Sequence, residues 1–258
     1  MAMYRCPKGS GEVELVPWAT GTDDQIKAMV DAYYTGELSL ADIQSVWSIG
    51  DERTVALSAM AATGVGESHV AQNVQMVIMN WGGKKLASDG TTDVLAIVGQ
   101  KGLLNNGSDF EGGYMNSSNT NVGGWKDCAR RSWCNNVYRN AVTSTTMRNL
   151  FKQFINQSGL GNNARTGVED TTDYFALPAE IEVFGSSDYS ISGEGTQFEY
   201  YENSDNIIKY YVGSSSYNWW ERSPHRRNDR NFCIVVWTGS NTYQGALTAN
   251  GLAPFGCI

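Results

Sequence analysis

Trp219-Trp220-Glu221-Arg222-Ser223-Pro224, Asn231-Phe232-Cys233 and Gly251-Leu252-Ala253-Pro254-Phe255-Gly256-Cys257-Ile258 are the three blocks whose reading decides the fold. Each is bulky, apolar or conformationally special. An apolar heptad running to Ile258 needs a docked end, so the last block predicts a buried strand. Phe232-Cys233-Ile234-Val235-Val236-Trp237 reads as a second strand. The residues between Pro224 and Ala249 are then expected to loop out from this core and return. His225-Arg226-Arg227-Asn228-Asp229-Arg230 is a basic, polar run in an acidic chain. Thr238, Asn241, Thr242, Tyr243 and Thr248 follow in a Gly-punctuated stretch. Tyr, Arg, Asn, Ser and Gly are the residues of recognition surfaces, and an ordinary solvated loop has much the same composition.

Upstream, Thr22-Asp23-Asp24-Gln25 is a capping-box pattern, followed by Ile26, Met29, Val30 and Tyr33 at helical spacing and by Gly36 as a cap. Leu38, Leu40, Ile43, Val46 and Trp47 extend this lead-in. Strands are predicted at Arg53–Leu57, Val74–Met79 and Val94–Val98, with a turn at Asn80-Trp81-Gly82-Gly83. A helix is predicted from near Asp127 through Trp133, Val137 and Ala141. Another, capped by Ser144 or Thr145, carries Met147, Leu150, Phe151 and Phe154. A short one at Pro178 to Phe184 ends at Gly185. Residues 156–173 and 186–196 lack periodicity and read as surface loops. The expected class is α+β, with a helical lead-in over 1–44 and a larger domain over 45–258.

The chain has 258 residues, a formal charge of −8 and 5 cysteines. An acidic chain with a sequence pI near 4.8 lacks the Lys/Arg surplus of a general nucleic-acid binder. No apolar run reaches the roughly 18 residues that cross a bilayer. Met1-Ala2-Met3-Tyr4-Arg5-Cys6 has no apolar region of the kind found in secretory signals. Cys6, Cys128, Cys134, Cys233 and Cys257 form no C-x-x-C pair, and His69 and His225 stand far apart, so no zinc site is expected. Buried free thiols are the expected state, with Cys233 and Cys257 the pair to test for a bond. No hydrolase, metalloprotease, phosphate-loop or dinucleotide motif is present. His69 reads as a packing or surface residue. Asp23/Asp24 read as helix-start charges, and Glu180/Glu182 as such charges or a solvated helix face.

The three blocks in combination resemble the C-terminal signature of C-type-lectin-fold variable proteins of diversity-generating retroelements, known from phages and gut bacteria. Gly113-Tyr114-Met115-Asn116-Ser117-Ser118-Asn119-Thr120, Ala179-Glu180-Ile181-Glu182-Val183-Phe184-Gly185 and Ser48-Ile49-Gly50-Asp51-Glu52-Arg53 are similar to the body of that group, so the resemblance runs from about residue 45 to the end. It implies a C-type-lectin-type fold related to formylglycine-generating enzymes, with a variable region over about 217–258. In such proteins adenine-directed rewriting scatters Asn codons. Trp219, Trp220, Phe232, Cys233, Gly251, Pro254 and Phe255 would be the fixed framework. His225, Arg226, Arg227, Asp229, Arg230, Ile234, Val236, Thr238, Ser240, Thr242, Tyr243, Gly245, Leu247 and Thr248 are reachable from Asn and would line the ligand face. Asn228, Asn231 and Asn241 would be unmutated positions of it. Trp237 and Gln244 are not reachable that way and are either fixed or differently templated.

The resemblance implies a binding protein rather than an enzyme, displayed on a phage tail, virion or cell surface. Its partner would be a protein or glycan ligand on a target cell, without a cofactor. Arg226, Arg227 and Arg230 hint at an acidic or polar ligand. A homo-oligomer or a place in a larger tail or fibre assembly fits, and residues 1–44 would then be an oligomerisation piece or a connection. Two alternatives stand beside this reading. One is a purely structural virion protein whose C-terminal segment packs on a neighbour. The other is a formylglycine-generating-type enzyme, which would hold copper through a cysteine pair; Cys128 and Cys134 lie near each other on a helix. Calcium-dependent sugar binding is not expected, because no E-P-N or Q-P-D motif or carboxylate cluster with ligand spacing is present.

Overall fold

The computed structural model describes residues 13–66, 68–105, 112–211 and 215–258. The N-terminal stretch with Cys6 lies outside them. The lead-in begins with helix α1 (Asp23–Thr35), whose Thr22 and Gln25 form the expected reciprocal cap and whose C-cap Gly36 takes φ 77°. Helix α2 (Leu40–Gln44) follows behind its own Ser39/Asp42 box. Ile26, Met29, Val30, Ile43, Trp18 and Trp47 are buried in the hydrophobic core that the rest of the chain shares. Arg53 fastens this region to the sheet, donating to Trp18 O at 2.9 Å and Gly21 O at 2.6 Å, and it also pairs with Asp23. Burial alone would raise the Asp23 carboxyl; hydrogen bonds from Ser144 and Arg53, with the charge of Arg53, hold it below its ordinary range.

Strands β1 (Glu52–Leu57), β2 (Gln72–Trp81) and β4 (Ala96–Gln100) fall where apolar runs predict them. A two-residue strand β3 (Lys85–Leu86) lies between β2 and β4, after the turn at Gly82 and Gly83, whose φ values are 60° and 83°. β4 is buried at every position, as a central strand should be. The helix expected near Asp127 starts at Ala129 as α3 (Ala129–Trp133). It loosens into a π-helical turn at Cys134–Tyr138 and closes as α4 (Arg139–Ala141). Helix α5 (Thr145–Leu150) is capped by Ser144, whose hydroxyl accepts from Met147 N at 3.2 Å.

Residues 156–173, expected as loop, form an antiparallel hairpin instead. β5 (Phe154–Gly159) pairs with β6 (Val168–Asp173) along their full length. Phe154 therefore belongs to this strand and not to the helix. Its inward positions are largely polar: Asn156, Ser158, Thr171 and Asp173 are buried. They are satisfied by one another and by buried partners, as where Trp125 Nε1 donates to Asp173 at 2.9 Å. Hydrophobic periodicity cannot register a strand whose buried face is hydrogen-bonded rather than apolar.

After the short β7 (Phe175–Ala176) and helix α6 (Glu180–Phe184), ended by Gly185 at φ 70°, two 3-10 turns cover Glu199–Glu202 and Ser204–Ile207. The last segment contributes β8 (Trp219–Pro224), β9 (Asn231–Val235), β10 (Asn241–Gly245) and β11 (Phe255–Cys257). The class is α+β. A five-stranded sheet has the order β1-β2-β4-β11-β7, and two three-stranded sheets have the orders β10-β9-β8 and β3-β5-β6. The C-terminal block is thus a strand inserted antiparallel between β4 and β7. The expected excursion from Pro224 to Ala249 is not all loop, for strands β9 and β10 lie within it. Among the described residues no helix is long and apolar enough to cross a membrane.

Candidate functional site

The framework residues Trp219, Trp220, Phe232, Cys233, Gly251, Pro254 and Phe255 are all buried. The two indoles also spend their N–H groups: Trp219 donates to Ile207 O at 3.0 Å and Trp220 to Gly113 O at 2.6 Å. A Cβ at Gly113 would meet the Arg130 guanidinium at 1.9 Å, so a larger residue there would have to displace that side chain.

Against this framework the β10-β9-β8 sheet displays most of the residues singled out in the sequence. Arg227, Asp229, Arg230, Thr238, Ser240, Tyr243, Leu247 and Thr248 are exposed, and Arg226, Asn228, Asn231, Val236, Asn241, Thr242 and Gly245 are partly so. Two positions depart from the expectation. Ile234 is fully buried: β9 is the middle strand, and both its faces are covered. His225 is also largely buried. Its ring lies 4.2 Å from that of Tyr243 and 6.1 Å from that of Tyr189, and its Nδ1 accepts the Arg227 N–H at 3.1 Å. Burial lowers its pKa, with Glu180 opposing and Arg226 and Arg227 reinforcing. Trp237 is 61 % exposed, the most open of the large apolar side chains among the described residues.

The backbone under these side chains is held from behind. Asn121, fully buried, donates from Nδ2 to Asn228 O and Asn231 O at 2.7 Å each, and its own N–H reaches Asp229 O at 2.8 Å. Its Oδ1 accepts from Asn162 N at 2.9 Å. Glu180 accepts from Ser190 N at 2.7 Å and from Asn241 Nδ2 at 3.1 Å, tying the loop after α6 to β10. Replacing Asn121 with alanine strips two carbonyls and one N–H of their partner, at a cost of about 1–3 kcal/mol. The amides of residues 225–231 should then exchange faster than those of β4, as native-state hydrogen exchange would read. An unchanged exchange rate in that loop would show that Asn121 does not hold it.

Of the three arginines, Arg230 lies 3.7 Å from Asp229 and Arg226 reaches Ser187 O at 3.4 Å. Arg227 has no side-chain partner among the described residues.

A buried charge network lies under the sheet, and it corrects the reading of Glu180 and Glu182 as a solvated helix face, for both are fully buried; both do stand in the first turn of α6, as helix-start charges would. The Arg222 guanidinium uses all of its N–H groups, on Gln157 O, Leu177 O, Glu194 O and both oxygens of Glu182. Lys84 pairs with Glu182 from the other side and donates to Asn156 at 3.1 Å. Burial would raise the Glu182 carboxyl, but Arg222 and Lys84 override it and hold it low. Glu194 is raised by burial despite accepting from Ser223 at 2.6 Å and Gly159 N at 2.8 Å. Glu221 is fully buried with no hydrogen-bond partner for either oxygen among the described residues, and burial, with Glu180 and Glu194 nearby, pushes it well above the carboxylate range. Sequence reasoning missed Arg222, Glu221 and Lys84. The one available signal was a charged pair inside an otherwise bulky, strand-like block.

The cysteine pair singled out for a possible bond does not form one. Cys128, Cys134, Cys233 and Cys257 are all free and buried, and Cys233 and Cys257 sit in different sheets. Burial pushes Cys128 up to about 12, and its thiol donates to Met115 O at 3.0 Å. His69 is buried against Trp133 and pushed down to about 4 by desolvation and by Arg130. Among the described residues no group of three or more His, Cys, Asp or Glu is placed to hold a metal ion.

Comparison with curated proteins and with solved structures finds no match. A family match spans residues 96–258, from β4 to the end, and so includes the charge network apart from Lys84, all of the β10-β9-β8 sheet and the inserted strand β11. The chain belongs to the family described as a domain of unknown function (DUF6273).

Proposed function

We propose that this chain is a C-type-lectin-type binding protein. Its ligand face is the β10-β9-β8 sheet with the 225–231 loop, diversified by a retroelement and carried on a phage tail, virion or cell surface. The carrying observation is a division of labour within one segment. Side chains such as Arg227, Thr238, Ser240, Tyr243 and Leu247 point into solvent, while the segment that carries them is held by Asn121 and Glu180. Such a scaffold tolerates exchange of its exposed residues, which away from caps and core usually costs within about 0.5 kcal/mol. Tyr243 and Trp237 supply rigid anchors, and Arg227 supplies an unpaired cation for an acidic group on a protein or glycan ligand. His225 and Ile234 act in this reading as support for the face.

The test is deep sequencing of the 3′ end of the gene across sibling genomes from one community. The expected result is variation at Arg226, Arg227, Asp229, Arg230, Thr238, Ser240, Thr242, Tyr243, Leu247 and Thr248, with Trp219–Pro224 and Gly251–Ile258 fixed. A uniform 3′ end, or variation spread along the whole gene, would favour a purely structural virion protein.

A further inference from the structure

A cleft of about 410 Å³ opens on the five-stranded sheet, and none of the residues of the β10-β9-β8 face lines it. Its floor is the outer side of β2, where Asn73 and Gln75 are exposed at alternate positions and so share one face. Its wall is the segment from Tyr200 to Tyr211. That wall is tacked to the sheet and preformed. Leu103 N donates to Tyr210 O at 2.8 Å, Asn206 Nδ2 to Tyr200 O at 2.8 Å, and Lys209 Nζ to both Gln100 O and Lys101 O at 3.0 Å.

The chemistry of the cleft is specific. The Lys101 ammonium is paired with Glu52 at 2.5 Å, and Lys209 is turned inward, so no free cation is offered to a phosphate or sulfate. Tyr210 is 52 % exposed and lines the cleft, an amphipathic ring open to a ligand. The Asn73 amide makes no hydrogen bond among the described residues, and Asp205 brings a carboxylate acceptor. An amide donates and accepts at once and suits neighbouring hydroxyls. A tyrosine ring covers an apolar C–H face while its hydroxyl stays wet. The volume lies at the low end of small-molecule sites, roughly 300–1,000 Å³, which favours a small ligand over a folded partner.

We propose that this cleft binds a neutral mono- or disaccharide, stacked on Tyr210 and hydrogen-bonded by Asn73, Gln75 and Asp205. This site is separate from the ligand face proposed above and does not depend on it. It needs no metal ion.

The test uses the full chain, isotopically labelled for amide NMR. The probes are methyl glycosides of glucose, galactose, mannose and N-acetylglucosamine, with cellobiose and lactose, each taken into the tens of millimolar, and methyl sulfate as an anionic control. At least one sugar should give saturable shifts at the Asn73 and Gln75 side-chain amides and along residues 200–211. Tyr210→Ala should weaken that binding roughly tenfold, the scale of one lost ring contact, and Asn73→Ala roughly tenfold as well, the scale of one lost hydrogen bond. Both side chains are exposed, so thermal melts of the two variants should match the parent. Arg227→Ala should leave the binding unchanged. Three results would each overturn the proposal: no saturable shift at these amides with any of the sugars, tighter binding of methyl sulfate than of any sugar, or sugar binding that survives Tyr210→Ala but is lost in Arg227→Ala.

Discussion

Arg222→Met should lower the unfolding free energy by about 3–5 kcal/mol, the cost of breaking a buried ion pair by removing one partner. The guanidinium joins four separate segments: β5 through Gln157 O, the turn before α6 through Leu177 O, α6 itself through Glu182, and the following loop through Glu194 O. Methionine keeps much of the volume, so the loss reads hydrogen bonds and charge rather than a cavity. Glu182 would then face Lys84 alone, and three carbonyls would lose their donor. Urea titration of the single and double variants provides the check. Glu182→Leu should also be costly, since it strands both Arg222 and Lys84, and the pair together should cost less than the sum of the two, because Arg222 and Glu182 no longer strand each other while Lys84 alone lacks its partner. Additive losses would mean that the two side chains do not work as a unit.

Glu221→Gln should change the pH dependence of stability more than its value at any one pH. The folded-state pKa of Glu221 is raised by burial and by Glu180 and Glu194. The native chain therefore keeps a proton that the unfolded chain releases above its ordinary carboxylate value, about 4.3. A group of this kind favours the fold below that value and penalises it as pH rises toward the folded pKa. The slope is about 1.4 kcal/mol per pH unit for one proton. Glu194, also raised, adds in the same direction, while Glu182 and Asp23, held low, act oppositely and favour the fold as pH rises. Between about pH 5 and 7 the Gln variant should lack the downward contribution of Glu221, so its stability should rise relative to the parent with increasing pH. Denaturant midpoints at several pH values measure this. Parallel curves for the two proteins would mean that Glu221 is ionised in the fold.

The aromatic blocks, the docked C-terminus and the helix caps were legible because each obeys a local rule: bulk at the framework, Ser or Thr before a helix, glycine after it. The hairpin of β5 and β6 was not, since Asn156, Ser158, Thr171 and Asp173 bury a polar face whose partners lie on Lys84, Trp125 and Glu194. Glu180 and Glu182 have the charge pattern of a solvated helix until Arg222, 40 residues on, is brought beside Glu182. Ile234 was assigned to the ligand face because an Asn codon can reach it by adenine changes, a rule that takes no account of burial. Only the sheet order makes β9 a middle strand. The surface positions around it needed no tertiary partner and were read directly.

The insertion of β11 between β4 and β7 has a consequence for how errors in the gene are screened. Phe255, Gly256 and Cys257 pair with Gly99, Val98 and Ile97 on one side and with Ala176 and Phe175 on the other. The central sheet therefore stays open until the segment from 225 to 248 has been translated in the correct reading frame. A stop codon or frameshift introduced anywhere in that segment deletes or scrambles the strand that closes the sheet, and the product is left to proteolysis. An in-frame exchange at an exposed position passes unnoticed. For a segment that is rewritten repeatedly, as proposed, the fold itself would act as the filter that lets only intact copies reach the surface.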